Sequence, residues 1–158
     1  MAQKYPSWMG KMRGLTNEEL VEFLSKGYVA RVATLQSDGS PYIVPVWFHY
    51  EEPYFYLVAR AKSAWVEHIR GDPRVALQVS RDEPPYTRVF VEGVAEIVEG
   101  PVVGGRWVDI ANKMALRYLG DKGPEYLKPT LNRPRYLIKV SPKRLVSWEG
   151  VEWHQRYL

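Results

Sequence analysis

The chain has 158 residues, of which 46% are hydrophobic and 25% charged, and these ordinary values exclude an intrinsically disordered or fibrous protein. Lys and Arg outnumber Asp and Glu by 22 to 18 without clustering, which fits a small anionic ligand at least as well as nucleic acid, since nucleic acid usually demands a clustered basic face. The absence of cysteine excludes disulfides and thiolate metal sites, and it favours a cytoplasmic location.

Aromatic content and chain length give further expectations. Six Trp, 11 Tyr and 4 Phe make up 13% of the chain, more than a core of this size needs, so some rings are expected to line a groove, an interface or a flat ligand. The length predicts a single domain over 1–158, with an N-terminal extension at 1–14, a barrel with helices at 15–147 and a tail at 148–158. The extension lacks the apolar run of a signal peptide, and no apolar run is long enough to predict a membrane span.

The first predicted element is a helix that begins at Thr16, because Thr16 and Glu19 have the spacing of a capping box, and that ends at Gly27. The residues expected to form its buried stripe are Leu20, Val21, Phe23 and Leu24. Apolar runs then predict strands at 28–35, 41–50 and 54–60, joined by turns. These three strands are expected to form an antiparallel meander.

The second half of the chain predicts two more helices and three more strands. A short helix at 63–70 has Ser63 as its N-terminal cap and is closed by Pro73. Strands at 74–80 and 87–98 precede a long helix at 104–119. The apolar residues near helical spacing in that helix are Trp107, Ile110, Ala111, Met114 and Leu116. A polar, proline-containing connection leads to a last strand at 135–140, which extends to 147 with an interruption at Pro142.

Six strands in hairpin order, with helices attached at the ends, predict a mainly β protein built as a small closed or nearly closed antiparallel barrel. A five-stranded oligonucleotide-binding barrel and a β-sandwich are the alternative folds. The sequence shows no internal repeat and no linker between domains.

The motifs of hydrolytic and metal-dependent enzymes are absent. His49, His68 and His154 do not have the spacing of a helical zinc pair, so no metal site is expected. There is also no Gly-x-Ser-x-Gly nucleophile motif, no glycine-rich phosphate loop and no dinucleotide fingerprint. Hydrolysis is therefore not expected, and no catalytic acid or base is assigned.

The stretch Arg60-Ala61-Lys62-Ser63 is the most informative motif, because it joins a predicted strand to a predicted helix. At such a junction, two cations, a hydroxyl and the helix amides converge on one point, which is a pattern typical of phosphate binding. The alternative is a basic strand end with an ordinary Ser cap. Similarly, Arg88 fits a solvated strand edge, and the rings of Trp47 and Trp65 fit the core.

A set of ordered motifs resembles the pyridoxamine-5'-phosphate oxidase-like family. The matching segments are Arg31-Val32-Ala33-Thr34-Leu35, Asp38-Gly39-Ser40-Pro41, Pro45-Val46-Trp47-Phe48, Arg60-Ala61-Lys62-Ser63-Ala64-Trp65-Val66, Asp72-Pro73-Arg74-Val75-Ala76-Leu77 and Val91-Glu92-Gly93-Val94-Ala95-Glu96. The resemblance implies a six-stranded antiparallel split β-barrel with peripheral helices. It also implies a homodimer that binds FMN, or the deazaflavin coenzyme F-420, at the subunit interface.

The resemblance further implies three groups of cofactor-binding residues. The expected neighbours of the isoalloxazine ring are Val44, Pro45, Val46 and Trp47. The expected phosphate-binding residues are Arg60, Lys62 and Ser63, with Trp65 packed at the phosphate end. The residues expected to reach the cofactor from the partner subunit are Arg88 and Trp148.

The C-terminal tail departs from the pattern of true pyridoxamine-5'-phosphate oxidases. Those enzymes carry an Arg-x-His pair near the C-terminus, whereas this tail reads Trp153-His154-Gln155-Arg156. We therefore expect a flavin-dependent oxidoreductase that transfers hydride to or from another small molecule. The alternatives are an F-420-dependent reductase, a non-enzymatic flavin or haem carrier on the same barrel, and a single-strand nucleic-acid barrel that stacks bases on its Tyr and Trp rings.

Overall fold

A computed structural model of the protein describes residues 12–153 and 155–157. The helices in this part of the chain are α1 (Asn17–Leu24), α2 (Ala64–Gly71), α3 (Arg106–Leu119) and α4 (Gly123–Leu127). The strands are β1 (Arg13–Gly14), β2 (Ala30–Leu35), β3 (Pro41–Val46), β4 (His49–Glu51), β5 (Tyr54–Arg60), β6 (Arg74–Ser80), β7 (Arg88–Val102) and β8 (Arg135–Glu149). Short 3-10 helices span Gly120–Lys122, Lys128–Thr130 and Gln155–Tyr157.

The strands form one antiparallel sheet in the order β3-β2-β6-β7-β8-β5-β4, and β1 pairs with β8. The two longest strands, β7 and β8, have 15 residues each and lie side by side at its centre. Helix α2 packs beside β2, whereas α3 and α4 cover β5 and β8. The prediction of a mainly β, antiparallel fold with peripheral helices is confirmed.

Strands β5 and β8 are buried on both faces, which gives the protein two apolar clusters. Side chains alternate across a strand, so Phe55, Leu57 and Ile138 enter the cluster shared with α1 and α2. Tyr56 and Leu137 point to the opposite face, where they pack under α3 and α4. This second face carries the cavity described below.

The strand predicted at 41–50 is divided into β3 and β4, which take opposite ends of the strand order. Trp47 and Phe48 lie between them, and Phe48 is completely buried although it belongs to no strand. With β1 added, the described sheet has eight strands rather than the predicted six. The division matters because it brings Trp47 out of the sheet and towards α3.

The last strand is not interrupted at Pro142 as predicted, and it continues through β8 to Glu149. The register pairs Glu92 with Arg144 but Gly93 with Pro142, so one extra residue of β8 forms a bulge that accommodates the proline. A Cβ at Gly93 would lie 2.6 Å from the carbonyl oxygen of Ser141, so the close approach of the strands here requires glycine.

The helices agree with the predicted pattern in part. The capping box at the start of α1 is confirmed, because Thr16 Oγ1 accepts from the Glu19 amide at 3.2 Å and Glu19 accepts in return. The prediction that Val21 belongs to the buried stripe of α1 is wrong, because Val21 is 39% exposed. Leu116, named among the apolar residues of α3, is 47% exposed. The proline-containing connection after α3 includes the short helix α4.

Several predictions concern residues outside the described part of the chain, namely positions 1–11 of the N-terminal extension and His154 and Leu158 of the tail. Among the described residues, none of the helices combines the length and apolar character needed to cross a bilayer. Within the same residues, no group of three His, Asp or Glu side chains is arranged to hold a metal ion.

Candidate functional site

A cavity of about 420 Å³ opens where the ends of β3, β5 and β8 meet the start of α2 and the helices α3 and α4. Its volume is within the range of about 300–1,000 Å³ that is usual for small-molecule sites. The lining residues are Val44, Pro45, Val46, Trp47, Val58, Ala59, Arg60, Ser63, Trp65, Ala111, Met114, Tyr126, Leu127 and Arg135.

An aromatic wall forms one side of this cavity. The ring of Trp47 stacks on Tyr118 with centroids 4.8 Å apart and planes 4° apart, and Tyr126 lies 6.0 Å from Trp47. The Tyr118 hydroxyl donates to the carbonyl of Tyr28 at 2.7 Å, which fixes the ring, and burial raises the pKa of this phenol. Trp47, which lines the cavity, is therefore held flat against a rigid neighbour.

The junction of β5 and α2 forms the polar end of the cavity. Ser63 occupies the N-cap position of α2, but its hydroxyl makes no capping hydrogen bond, so the predicted role of this side chain as a helix cap is wrong. Ser63 is one of the residues that line the cavity. The first amides of a helix have no partner within the helix, and they favour an anion at this position. Trp65, only 6% exposed, anchors α2 in the apolar core behind it.

Two arginines face each other across β5 and β8 at the same end of the cavity. Arg60 and Arg135 are direct partners in the strand register. Arg135 donates from Nη2 to Thr130 Oγ1 at 2.6 Å, and its guanidinium lies 4.8 Å above the ring of Trp107. Burial lowers the pKa of Arg135, and the positive charge of Arg60 lowers it further.

Helices α3 and α4 close the apolar side of the cavity with Ala111, Met114 and Leu127. The start of α3 is held by Glu99 of β7, whose carboxylate accepts from the amides of Arg106 at 3.0 Å and Trp107 at 2.9 Å. The preceding N-cap residue is a glycine and provides no capping side chain. Glu99 thus replaces the usual cap.

Helix α4 approaches α3 closely because Gly123 has no side chain. A Cβ at this position would overlap the backbone carbonyl of Ala115. The close contact brings Tyr126 and Leu127 over the cavity, where Tyr126 remains 60% exposed at the rim.

The structure brings most of the predicted site residues together. The predicted residues that line the cavity are Val44, Pro45, Val46, Trp47, Arg60, Ser63 and Trp65. The exposed side chain of Lys62 does not line it. Sequence reasoning missed Arg135, Tyr126 and the residues of α3, because their positions depend on strand pairing and helix docking that no local motif encodes.

The predicted residues Arg88 and Trp148 lie elsewhere. They are register partners on β7 and β8, and the Arg88 guanidinium is 5.6 Å from the ring centroids of both Trp148 and Tyr86. Arg88 lines a different cavity, of about 550 Å³, together with Met12 and Trp153. Within one chain, therefore, these two residues do not belong to the first cavity.

The chemistry of the first cavity suits a planar, largely apolar molecule with an anionic tail. Aliphatic side chains and the Trp47 ring provide flat apolar walls. Arg60, Arg135 and Ser63 line the cavity beside the start of α2, and guanidinium groups, a hydroxyl and a helix N-terminus are the donors that phosphate oxygens require.

Comparison with known proteins identifies the family. Residues 16–149 match the family model described as pyridoxamine 5'-phosphate oxidase, and the fold is the split barrel of this group. The chain therefore belongs to the pyridoxamine 5'-phosphate oxidase family. No curated protein matches the sequence.

Three solved structures illustrate the similarity. A conserved hypothetical protein of Mycobacterium tuberculosis is 26% identical, with a TM-score of 0.72 over 93% of this chain and 90% of that one. An FAD-binding protein of Mesorhizobium loti is 22% identical, with a TM-score of 0.62 over 90% and 98%. A protein described as an F-420 reductase is 24% identical, with a TM-score of 0.62 over 78% and 93%.

Proposed function

We propose that the protein is a flavin-dependent oxidoreductase that binds FMN in the 420 Å³ cavity and transfers hydride to or from a small molecule. The observation that carries this proposal is the combination, in one cavity, of the flat Trp47 wall with the donors of Arg60 and Ser63. Family membership and the FAD-binding and F-420 reductase relatives support it.

The residues present fit the two ends of FMN. The ring would lie along the end of β3, where Val44 and Val46 provide apolar contacts and the backbone provides polar groups for the ring edge. The phosphate would lie against Arg60, Ser63 and the first amides of α2. A bound flavin supplies the hydride acceptor or donor at N5, so the protein needs no catalytic acid or base for that transfer.

The chain's own contribution is to orient the ligand and to exclude water. Trp47 is held by its stack on Tyr118, so it fixes the plane of a ring that lies against it. Met114 and Leu127 cover the apolar side. Water excluded from such a site cannot compete for the reacting atoms, and the electrostatic interactions inside become stronger.

A homodimer is part of this proposal, with Arg88 and Trp148 of one subunit completing the site of the other. The supporting observation is that these two side chains pack together on β7 and β8 but do not line the cavity of their own chain. A subunit-mixing experiment tests it. Neither the Arg60→Gln nor the Trp148→Ala dimer should bind FMN well, but mixing them under exchange conditions should restore about a quarter of the sites. Failure to restore any binding would show that both residues act within one chain.

The cofactor itself is tested by an absorption spectrum of the purified protein, followed by mass spectrometry of the released molecule. Flavin bands and the mass of FMN are the expected result. Coenzyme F-420 is the alternative, and its deazaflavin absorption and different mass would identify it. A Soret band would instead favour a haem carrier. A colourless protein that binds none of these in titration would overturn the proposal.

The site is tested by titrating the apoprotein with FMN. Arg60→Gln should weaken binding roughly 10- to 150-fold, because a hydrogen bond to a charged group contributes about 1.5–3 kcal/mol. Arg81→Gln is the matched control, because Arg81 pairs with Glu83 on the surface and does not line the cavity. Equal affinity of both variants would place the phosphate elsewhere.

A further inference from the structure

The pairing of Arg60 with Arg135 places two positive charges opposite each other, one on an exposed residue and one on a partly buried residue. Like charges that are directly opposite on neighbouring antiparallel strands destabilise the sheet. Both residues line the same cavity, so their side chains lie on the same face of the sheet. The sheet therefore places two positive charges side by side at one end of the candidate site.

No carboxylate relieves this repulsion in residues 12–153 and 155–157. The arginines with ion pairs there include Arg13, Arg70, Arg74, Arg81 and Arg144. Arg60 and Arg135 are not among them, and the only hydrogen bond that the Arg135 side chain makes to another described residue is the one to the neutral Thr130. The compensating charge is thus expected from a ligand.

We propose that Arg60 and Arg135 form a two-arginine clamp for a phosphate monoester, and that Arg135 rather than Lys62 supplies the second positive charge. This inference rests on the proposed function, because it concerns the anionic end of the same cavity. Lys62 was expected in that role from its position next to Arg60 in sequence. Lys62 lies outside the cavity lining, whereas Arg60 and Arg135 both line the cavity, Arg135 coming from the neighbouring strand β8.

Arg135 is already oriented for this role. The hydrogen bond to Thr130 and the contact with the face of Trp107 hold its guanidinium in one plane. A planar guanidinium that is fixed in advance loses less conformational entropy when it forms two parallel hydrogen bonds to phosphate oxygens. Since one Arg135 amino group is used by Thr130, other N–H groups of its fork remain for the ligand.

The test compares FMN with riboflavin, which has the same ring but no phosphate. Arg135→Gln should weaken FMN binding at least about tenfold and change riboflavin affinity less than about twofold, because only the phosphate contact is lost. Lys62→Gln should change neither affinity by more than about twofold. Arg133→Gln is the matched control, because it removes an exposed arginine two residues before Arg135 that does not line the cavity.

A second variant separates a binding role from a structural one. Arg135→Lys keeps the charge but loses the planar fork, so it should recover only part of the FMN affinity that Arg135→Gln loses. If Arg135→Gln lowers FMN and riboflavin affinity equally, the residue supports the cavity rather than the phosphate, and the clamp is refuted. The clamp would also be refuted if Lys62→Gln, and not Arg135→Gln, lost the tighter binding of FMN relative to riboflavin.

The outcome can be distinguished from failure of the proposed function. If wild-type protein binds coenzyme F-420 instead of FMN, the same comparison uses F-420 and its phosphate-free deazariboflavin core. If no flavin binds, inorganic phosphate alone is the probe: it should raise the melting temperature of the wild type but not of Arg60→Gln or Arg135→Gln. No stabilisation of the wild type by phosphate would overturn the clamp together with the proposed function.

Discussion

Removing the Glu99 carboxylate tests how the cavity wall is held in place. Glu99 accepts two hydrogen bonds from the first amides of α3, which otherwise lack a capping side chain. Loss of an N-terminal cap costs about 0.5–2 kcal/mol, and loss of a negative charge at a helix N-terminus costs about 0.3–1 kcal/mol. Because the two effects overlap, we expect Glu99→Ala to lower the free energy of unfolding by about 1–2 kcal/mol.

The measurement is urea unfolding followed by circular dichroism, in which the midpoint should fall while the slope is unchanged. Glu99→Gln keeps one acceptor oxygen without the charge, so it should lose about half as much. Glu96→Ala is the control on the same strand, because its surface pair with Lys139 is 62% exposed on the Glu96 side and should contribute less than about 1 kcal/mol. If Glu99→Ala and Glu96→Ala had the same midpoint, the capping role would be refuted.

Two further predictions concern packing and pH. Gly123→Ala should lower the free energy of unfolding by about 1–3 kcal/mol and weaken FMN binding, because the new methyl group forces α4 away from Ala115. Gly71→Ala, where nothing lies within 4 Å, should be tolerated in both assays, and equal losses would contradict this account. Burial lowers the pKa of His49 in the folded protein. As the pH falls, the unfolded chain therefore binds the proton at a higher pH than the folded chain does. The free energy of unfolding should consequently decrease as the pH drops below about 6.5. His49→Gln should flatten that pH dependence in urea titrations at several pH values, and an unchanged slope would contradict it.

Much of the candidate site was predictable because its residues lie in two short segments. Val44 to Trp47 and Arg60 to Ser63 are each local motifs at the end of a strand, and both lie at the cavity. Turn and cap residues indicate the junction at Arg60 to Ser63, whereas the assignment of Val44 to Trp47 follows from the family resemblance alone. The local sequence did not show that Ser63 makes no capping hydrogen bond with its side chain and lines the cavity.

The residues that sequence reasoning missed depend on contacts between distant segments. Arg60 and Arg135 are far apart in the sequence, and only the pairing of β5 with β8 places them opposite each other. Met114 fits the buried stripe of α3 equally well with or without a cavity beside it. A periodic pattern identifies the buried face of a helix but not what that face packs against.

The sequence by itself determined the mainly β class, the capping box of α1 and the positions of most strands along the chain, because these follow from local hydrogen bonding and side-chain periodicity. Only the tertiary structure decided that residues 41–50 divide into β3 and β4, that a bulge accommodates Pro142, and that Arg60 meets Arg135. Each of these depends on register and close approach between strands far apart in the chain. The free energy of such contacts is shared between both segments, so neither segment encodes it alone.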